Sequence, residues 1–234
     1  MSEVETTIPI SDSDKWTEGD FTIICSDGVR FKVPSRTLLY HSDVLANASE
    51  LSGNSDKVLQ FSDPDLEQSL TGDLFLELAV NAKLTIPAAG SDHELAKKLL
   101  AFVDFLQKYD CKPLWRHLHL ACAEQLSKGK LRPQVAFVVG SAARDIDMCA
   151  IALGKMCENR RLPLKTVNGL RHLCDADPGT FSLELWNLIS HEHAWAYCVA
   201  FRDCLTSADH CDESMRPHGL GSHFKATISR LPRS

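Results

Sequence analysis

The stretch Phe21-Thr22-Ile23-Ile24-Cys25-Ser26-Asp27-Gly28-Val29-Arg30-Phe31-Lys32-Val33 constrains the fold of this chain more than any other. Two runs rich in aromatic and branched residues flank a short Ser-Asp-Gly-Val turn. Val, Ile, Thr and Phe suit a pleated strand, and Asp27-Gly28 supplies the positive φ of a tight hairpin. A helical segment over 35–49 follows at once, with an apolar stripe of Leu38, Leu39, Val44 and Leu45. Ser35 reads as its N-cap, because a hydroxyl can accept from an orphan backbone N–H.

Further along, the helix signals multiply. The polar stretch 51–57 reads as a loop, and Val58-Leu59-Gln60-Phe61 as a short third strand. Asp63-Pro64-Asp65 opens a helix whose apolar face carries Leu66, Leu70, Leu74 and Leu78, beside Phe75. A loop with Pro87 and Gly90 spans 81–92. Leu95, Leu99, Phe102, Val103 and Leu106 mark a strong amphipathic helix ending near Lys108-Tyr109-Asp110. Pro113 starts the next, with Leu114, Leu118, Cys122 and Leu126 inward, and Lys128-Gly129-Lys130 stops it.

Arg132-Pro133 opens a helix through Val135, Val138, Val139, Ala142 and Ala143. Asp145 begins another through Cys149, Leu153 and Met156. Pro163 breaks the pattern, and Leu170, Leu173 and Cys174 suggest a helical turn. Leu185, Trp186, Leu188, Ile189, Trp195 and Val199 then predict one or two closing helices. Beyond Thr206 the chain is rich in His, Gly and Ser, a composition typical of disordered tails. About three strands followed by roughly seven helices fit an α+β architecture rather than an alternating parallel sheet.

A chain of 234 residues with 44% hydrophobic residues can bury a sizeable core unaided. A net charge of -6 argues against nucleic acid and anionic membranes as partners. The nine cysteines cannot all pair and show no framework spacing. The polar start has no signal-peptide pattern, and no run of roughly 18 apolar residues predicts a membrane span. These features read together as an intracellular protein with free thiols, cytoplasmic or nuclear. Asn47-Ala48-Ser49 fits the glycosylation pattern but falls in a helical segment, and reads as chance.

Chemistry is hard to place on the sequence. His191-Glu192-His193-Ala194-Trp195 starts like a metalloprotease helix, yet Trp195 stands where the second zinc-binding His belongs, and His193 points about 200° away from His191. Cys198, Cys204, His210 and Cys211 are too widely spaced for a structural zinc site. No Cys-x-x-Cys pair, phosphate loop or nucleophile elbow occurs, and Gly219-Leu220-Gly221 lacks the strand and third glycine of a dinucleotide fingerprint. Asp63 and Asp65 read as a helix cap rather than paired catalytic carboxylates. Lys97-Lys98 and Arg160-Arg161 read as solvated basic pairs. No catalytic residue, cofactor, metal ligand or small-molecule substrate is therefore expected.

Residues 19–33, with Asp20 before the first strand, resemble the opening of BTB/POZ domains. Leu38-Leu39-Tyr40-His41-Ser42-Asp43-Val44-Leu45 is similar to the family's first helix, and Lys108-Tyr109-Asp110 to the end of a later one. Pro34 stands where the family often has His, and Leu45 where it often has Phe. Residues 133–205, with Val139-Gly140-Ser141-Ala142-Ala143 and the run from Trp186 to Cys198, resemble the helical extension of a BTB group found in basidiomycete fungi.

The resemblance implies a BTB/POZ fold, a small three-stranded sheet flanked by helices, followed by an all-helical extension. The implied organisation is a flexible lead-in over 1–16, a BTB/POZ domain over 17–128, the extension over 129–205 and a disordered tail over 206–234. It implies a non-enzymatic protein–protein interaction module. Such modules dimerise, and many recruit substrates to a cullin-type ubiquitin ligase; the alternatives are a transcriptional or scaffold regulator and, less favoured, a cysteine- or metal-dependent enzyme. On this reading the partners are proteins, including a second copy and a cullin. Leu38, Leu39, Val44 and Leu45 are the candidate dimer or partner face.

Overall fold

The computed structural model describes residues 9–51, 57–158, 176–208 and 218–231. Pro163, Leu170, Leu173, Cys174, Arg160-Arg161, His210 and Cys211 lie outside the described residues. The chain is mixed α and β, with a four-stranded sheet and ten helices among the described residues. It divides into two units, one of residues 1–85 and 100–121, the other of 86–99 and 122–234.

In the first unit the Asp27-Gly28 turn forms as its sequence dictates. Strands β2 (Phe21–Ile24) and β3 (Val29–Val33) pair antiparallel, with Phe21 opposite Val33 and Ile23 opposite Phe31. These four side chains are buried on one face, as a period of two requires. Gly28 has φ 84, the left-handed region that favours glycine. The short strand β4 (Val58–Gln60) lies parallel to β2.

Two expectations are corrected here. The lead-in is not all flexible: β1 (Ser11–Thr17) joins the sheet parallel to β3, giving the order β1-β3-β2-β4. Its polar sequence carries no strand pattern, and distant residues hold it. Asp12 pairs with Arg30 at 2.5 Å, the Trp16 indole donates to Asp73 at 2.6 Å, and Lys15 bridges Asp73 and Glu77. Second, the segment 35–49 is two helices, α1 (Ser35–His41) and α2 (Asp43–Leu51), with Ser42 extended between them.

Ser35 does not cap α1. Pro34 occupies the cap position, and the Asp20 carboxylate accepts from the Ser35 N–H at 2.7 Å and its hydroxyl at 2.8 Å. The next helix, α3 (Ser69–Asn81), starts later than Asp63-Pro64-Asp65 suggests. Asp63 instead closes a single turn, accepting from the N–H groups of Asp65 and Leu66. The α3 N-terminus is met by Asp27 of the hairpin, which accepts from Ser69 N–H and hydroxyl. Both acidic residues of the strand–turn–strand motif thus sit at helix N-termini, where orphan N–H groups and the helix dipole favour a carboxylate.

Helices α4 (Asp92–Lys108) and α5 (Leu114–Ser127) follow the expected bounds closely. Leu95, Leu99, Phe102, Val103, Leu106, Leu114, Leu118, Cys122 and Leu126 are all buried.

The second unit is helical. It contains α6 (Pro133–Ala142), α7 (Ile146–Glu158), a 3-10 turn at Pro178–Thr180, α8 (Leu183–Trp186), α9 (His191–Ala208) and α10 (His218–Ile228). Asp145 and Ser182 cap α7 and α8 by accepting from Met148 and Leu185 N–H. The core is aromatic. Phe137 is fully buried, with ring centres at 5.1 Å to Tyr197, 5.5 Å to Phe224 and 6.3 Å to Phe181. The Tyr197 hydroxyl donates to the Ala176 carbonyl at 2.8 Å.

Helix α10 corrects the reading of 206–234 as a disordered tail. Leu220, Phe224 and Ile228 recur every four residues and are buried, and Lys225 pairs with Asp147 of α7 at 2.5 Å. The Gly, His and Ser around this stripe hide it in composition, while its period is that of an amphipathic helix. Gly219-Leu220-Gly221 is the first turn of this helix. Gly221 lets α10 approach α7 closely: a Cβ there would lie 2.7 Å from the Ala150 carbonyl oxygen.

Candidate interaction surface

The candidate face is built on the corner between α1 and α2. Ser42 makes that corner. Its hydroxyl accepts from Leu45 N–H at 3.1 Å, capping α2, and donates to the Tyr109 carbonyl at 2.5 Å. The Ser-x-Val motif and the Lys-Tyr-Asp motif, 67 residues apart, meet through this one hydroxyl.

The second motif is itself fixed by a buried carboxylate. Glu67 accepts from the N–H groups of Ser62 and Asp63 at 2.7 and 2.8 Å, from Lys108 at 2.8 Å and from the Tyr109 hydroxyl. Burial pushes its carboxyl up, but these donors outweigh burial and hold it below the usual range. Burial and the Glu67 carboxylate push the Tyr109 phenol far up, so it stays a donor. The Tyr109 ring packs on Phe105 at 4.6 Å and Phe61 at 5.5 Å.

The corner sorts the four candidate residues into two pairs. Leu38 and Leu45 are buried at 0% and 2% exposure within the chain's own core, so they are not surface. Leu39 is half-buried and Val44 is 41% exposed. The cause lies within each helix: Leu38 and Leu39 in α1, and Val44 and Leu45 in α2, are sequence neighbours about 100° apart, so each helix turns one of its pair to the core and the other away from it.

Tyr40, which the apolar-stripe argument passes over, is 76% exposed. Its ring stands edge-on to His41 at 5.0 Å. His41 is buried, 6.2 Å from the His117 ring, and burial pushes its imidazole below the usual value despite the Ala79 backbone beside it. Val80 and Leu120, both exposed, follow Ala79 and His117 along their helices. No sequence signal marks them, because exposure depends on which helix covers which.

The residues weighed for chemistry fall apart in space. His191 is exposed and His193 buried on α9, on different faces as their spacing requires. Among the described residues no group of three or more His, Cys, Asp or Glu is placed to hold a metal. Burial pushes the thiols of Cys25, Cys111 and Cys122 up to about 12, and that of Cys149 well above its usual value, away from the thiolate a nucleophile needs. Asp63 pairs with Lys108 at 2.8 Å in the turn described above. No described helix is long and apolar enough to cross a membrane.

No family model, curated protein or solved structure matches the chain.

Proposed function

We propose that the chain is a protein–protein interaction module of BTB/POZ type whose partner face is the α1–α2 corner, with Leu39, Tyr40 and Val44 as its contact residues. The observation that carries the reading is the exposure of Tyr40 and Val44, beside half-buried Leu39, on a corner where Leu38 and Leu45 are fully buried. A tyrosine this open offers a large rigid apolar area with a polar tip, the type of side chain that anchors interfaces. The order of hairpin, helix pair, parallel strand β4 and further helices supports the family reading, as do the roles of Asp20, Ser42 and Tyr109 in joining those parts.

In this reading the face takes a second copy of the chain or a cullin, making the protein a dimerising adaptor for a ubiquitin ligase. Sedimentation or light scattering at micromolar concentration, with a cullin pull-down, tests it. Self-association or cullin capture is expected, and Tyr40→Ala with Val44→Asp abolishes it without unfolding the chain. A strict monomer that captures no cullin ends the proposal.

A further inference from the structure

His193 lies in the first turn of α9, buried at 4% exposure. The Ser190 hydroxyl meets its Nδ1 at 2.7 Å. Ser190 is held in turn by Ser141 of α6, whose hydroxyl accepts from Ser190 N–H at 3.1 Å. On the other side of the ring, Nε2 is buried without a hydrogen-bond partner. The ring faces Phe224 of α10, centre to centre 6.0 Å.

The surroundings of this imidazole favour its neutral form. Burial pushes its pKa down; Glu192, next along α9, pulls the other way, and Arg144, just after α6, adds to the depression. The α9 N-terminus also disfavours a cation. From α10 the ring meets Phe224 rather than a carboxylate, and the adjacent Lys225 is already paired with Asp147. A proton on His193 would leave an N–H of a cation buried with no acceptor, a costly arrangement. Water can relieve it only if the element covering the ring moves.

We propose that His193 is a proton-operated latch for α10: protonation releases α10 from α7 and α9 and uncovers Leu220, Phe224 and Ile228. In the neutral state Phe224 closes over the ring. In the open state, which protonation favours, His193 is hydrated and the apolar stripe of α10 is free. The affected surface belongs to the second unit, so this inference does not rest on the α1–α2 face.

Hydrogen exchange on the full chain at about pH 7.5 and about pH 5, corrected for intrinsic rates, reads the latch. The reference imidazole value is 6.5. An opening that fully restores that value lowers α10 protection by at most about thirtyfold at about pH 5. A fall between about threefold and that ceiling is expected for α10 amides, with α6 amides unchanged. His193→Phe, which keeps an apolar ring and cannot titrate, is expected to hold α10 protection constant with pH. An NMR titration of wild-type His193 guards against a variant that fails to fold: its midpoint must lie below the reference value of 6.5, with α10 protection falling as pH drops below that reference. A fall of under about threefold, an equal fall in α6, a fall that survives in His193→Phe, or a wild-type His193 midpoint at or above 6.5 would each overturn the latch.

Discussion

Docking of α10 can be tested by the sign of two alanine substitutions in one helical turn. Replacing glycine by alanine inside a helix gains up to about 1 kcal/mol from backbone entropy. At Gly219 nothing lies within 4 Å of the new methyl, so Gly219→Ala stabilises by up to that amount. At Gly221 the methyl would stand 2.7 Å from the Ala150 carbonyl oxygen and 3.3 Å from its Cβ. Backbone cannot rotate away as a side chain does, so α10 must shift against α7, and overpacking of this kind costs about 1–3 kcal/mol. Against the same propensity gain, Gly221→Ala ends neutral to about 2 kcal/mol destabilising. The two variants therefore separate by about 1–3 kcal/mol. With a urea slope of about 1–3 kcal/mol per molar, a 2 kcal/mol gap moves the midpoint by about 1 M. Urea titration followed by circular dichroism and fluorescence reads the gap, with hydrogen exchange placing it in α10. If Gly221→Ala proves as stabilising as Gly219→Ala, α10 does not pack on α7 and the close-approach reasoning is wrong.

Four further outcomes follow from buried groups. Tyr109→Phe removes one donor from buried Glu67 and should cost about 1–3 kcal/mol by chemical denaturation, whereas a cost near zero would mean that Tyr109 does not hold the carboxylate. Because the folded Glu67 pKa lies below its reference of 4.5, its stabilisation is present above that value and is lost as pH falls through the folded one; Glu67→Gln should flatten this part of the acid unfolding curve. The depressed His41 imidazole contributes stability that is full above its reference of 6.5 and is lost as pH falls through the lower folded value, and a His41 titration by NMR with a midpoint at or above 6.5 contradicts it. Phe137→Ala should destabilise the second unit by about 3–5 kcal/mol in urea, since the ring is fully buried among Phe181, Tyr197 and Phe224; a cost under about 1 kcal/mol would deny that cluster its place in the core.

Local chemistry made much of the fold legible. The Asp27-Gly28 turn needs only a residue tolerant of positive φ between β-formers, and Gly129 needs only a helix that has ended; it has φ 68. The apolar stripes of α4 and α5 show the period of their own helices. Strand β1 and helix α10 were not legible as such. The partners that hold Lys15 and Trp16 are Asp73 and Glu77, on a helix far along the chain. In α10 the stripe is present, but four glycine and histidine neighbours mask it. The candidate face was half legible: an apolar run at α1–α2 could be read, but its division between core and solvent could not.

The sequence by itself determined the elements whose causes lie within a few residues: turn, strand alternation, helix stripes and stops. It also determined that Asp20, Asp27, Ser42 and Tyr109 are polar groups in need of partners. Only the tertiary structure decided which partners those are, that Ser42 breaks one stripe into two helices, and that Tyr40 and Val44 face water while Leu38 and Leu45 do not. The physical reason is that periodicity defines a helix's apolar side, whereas burial is a property of what another segment brings against it.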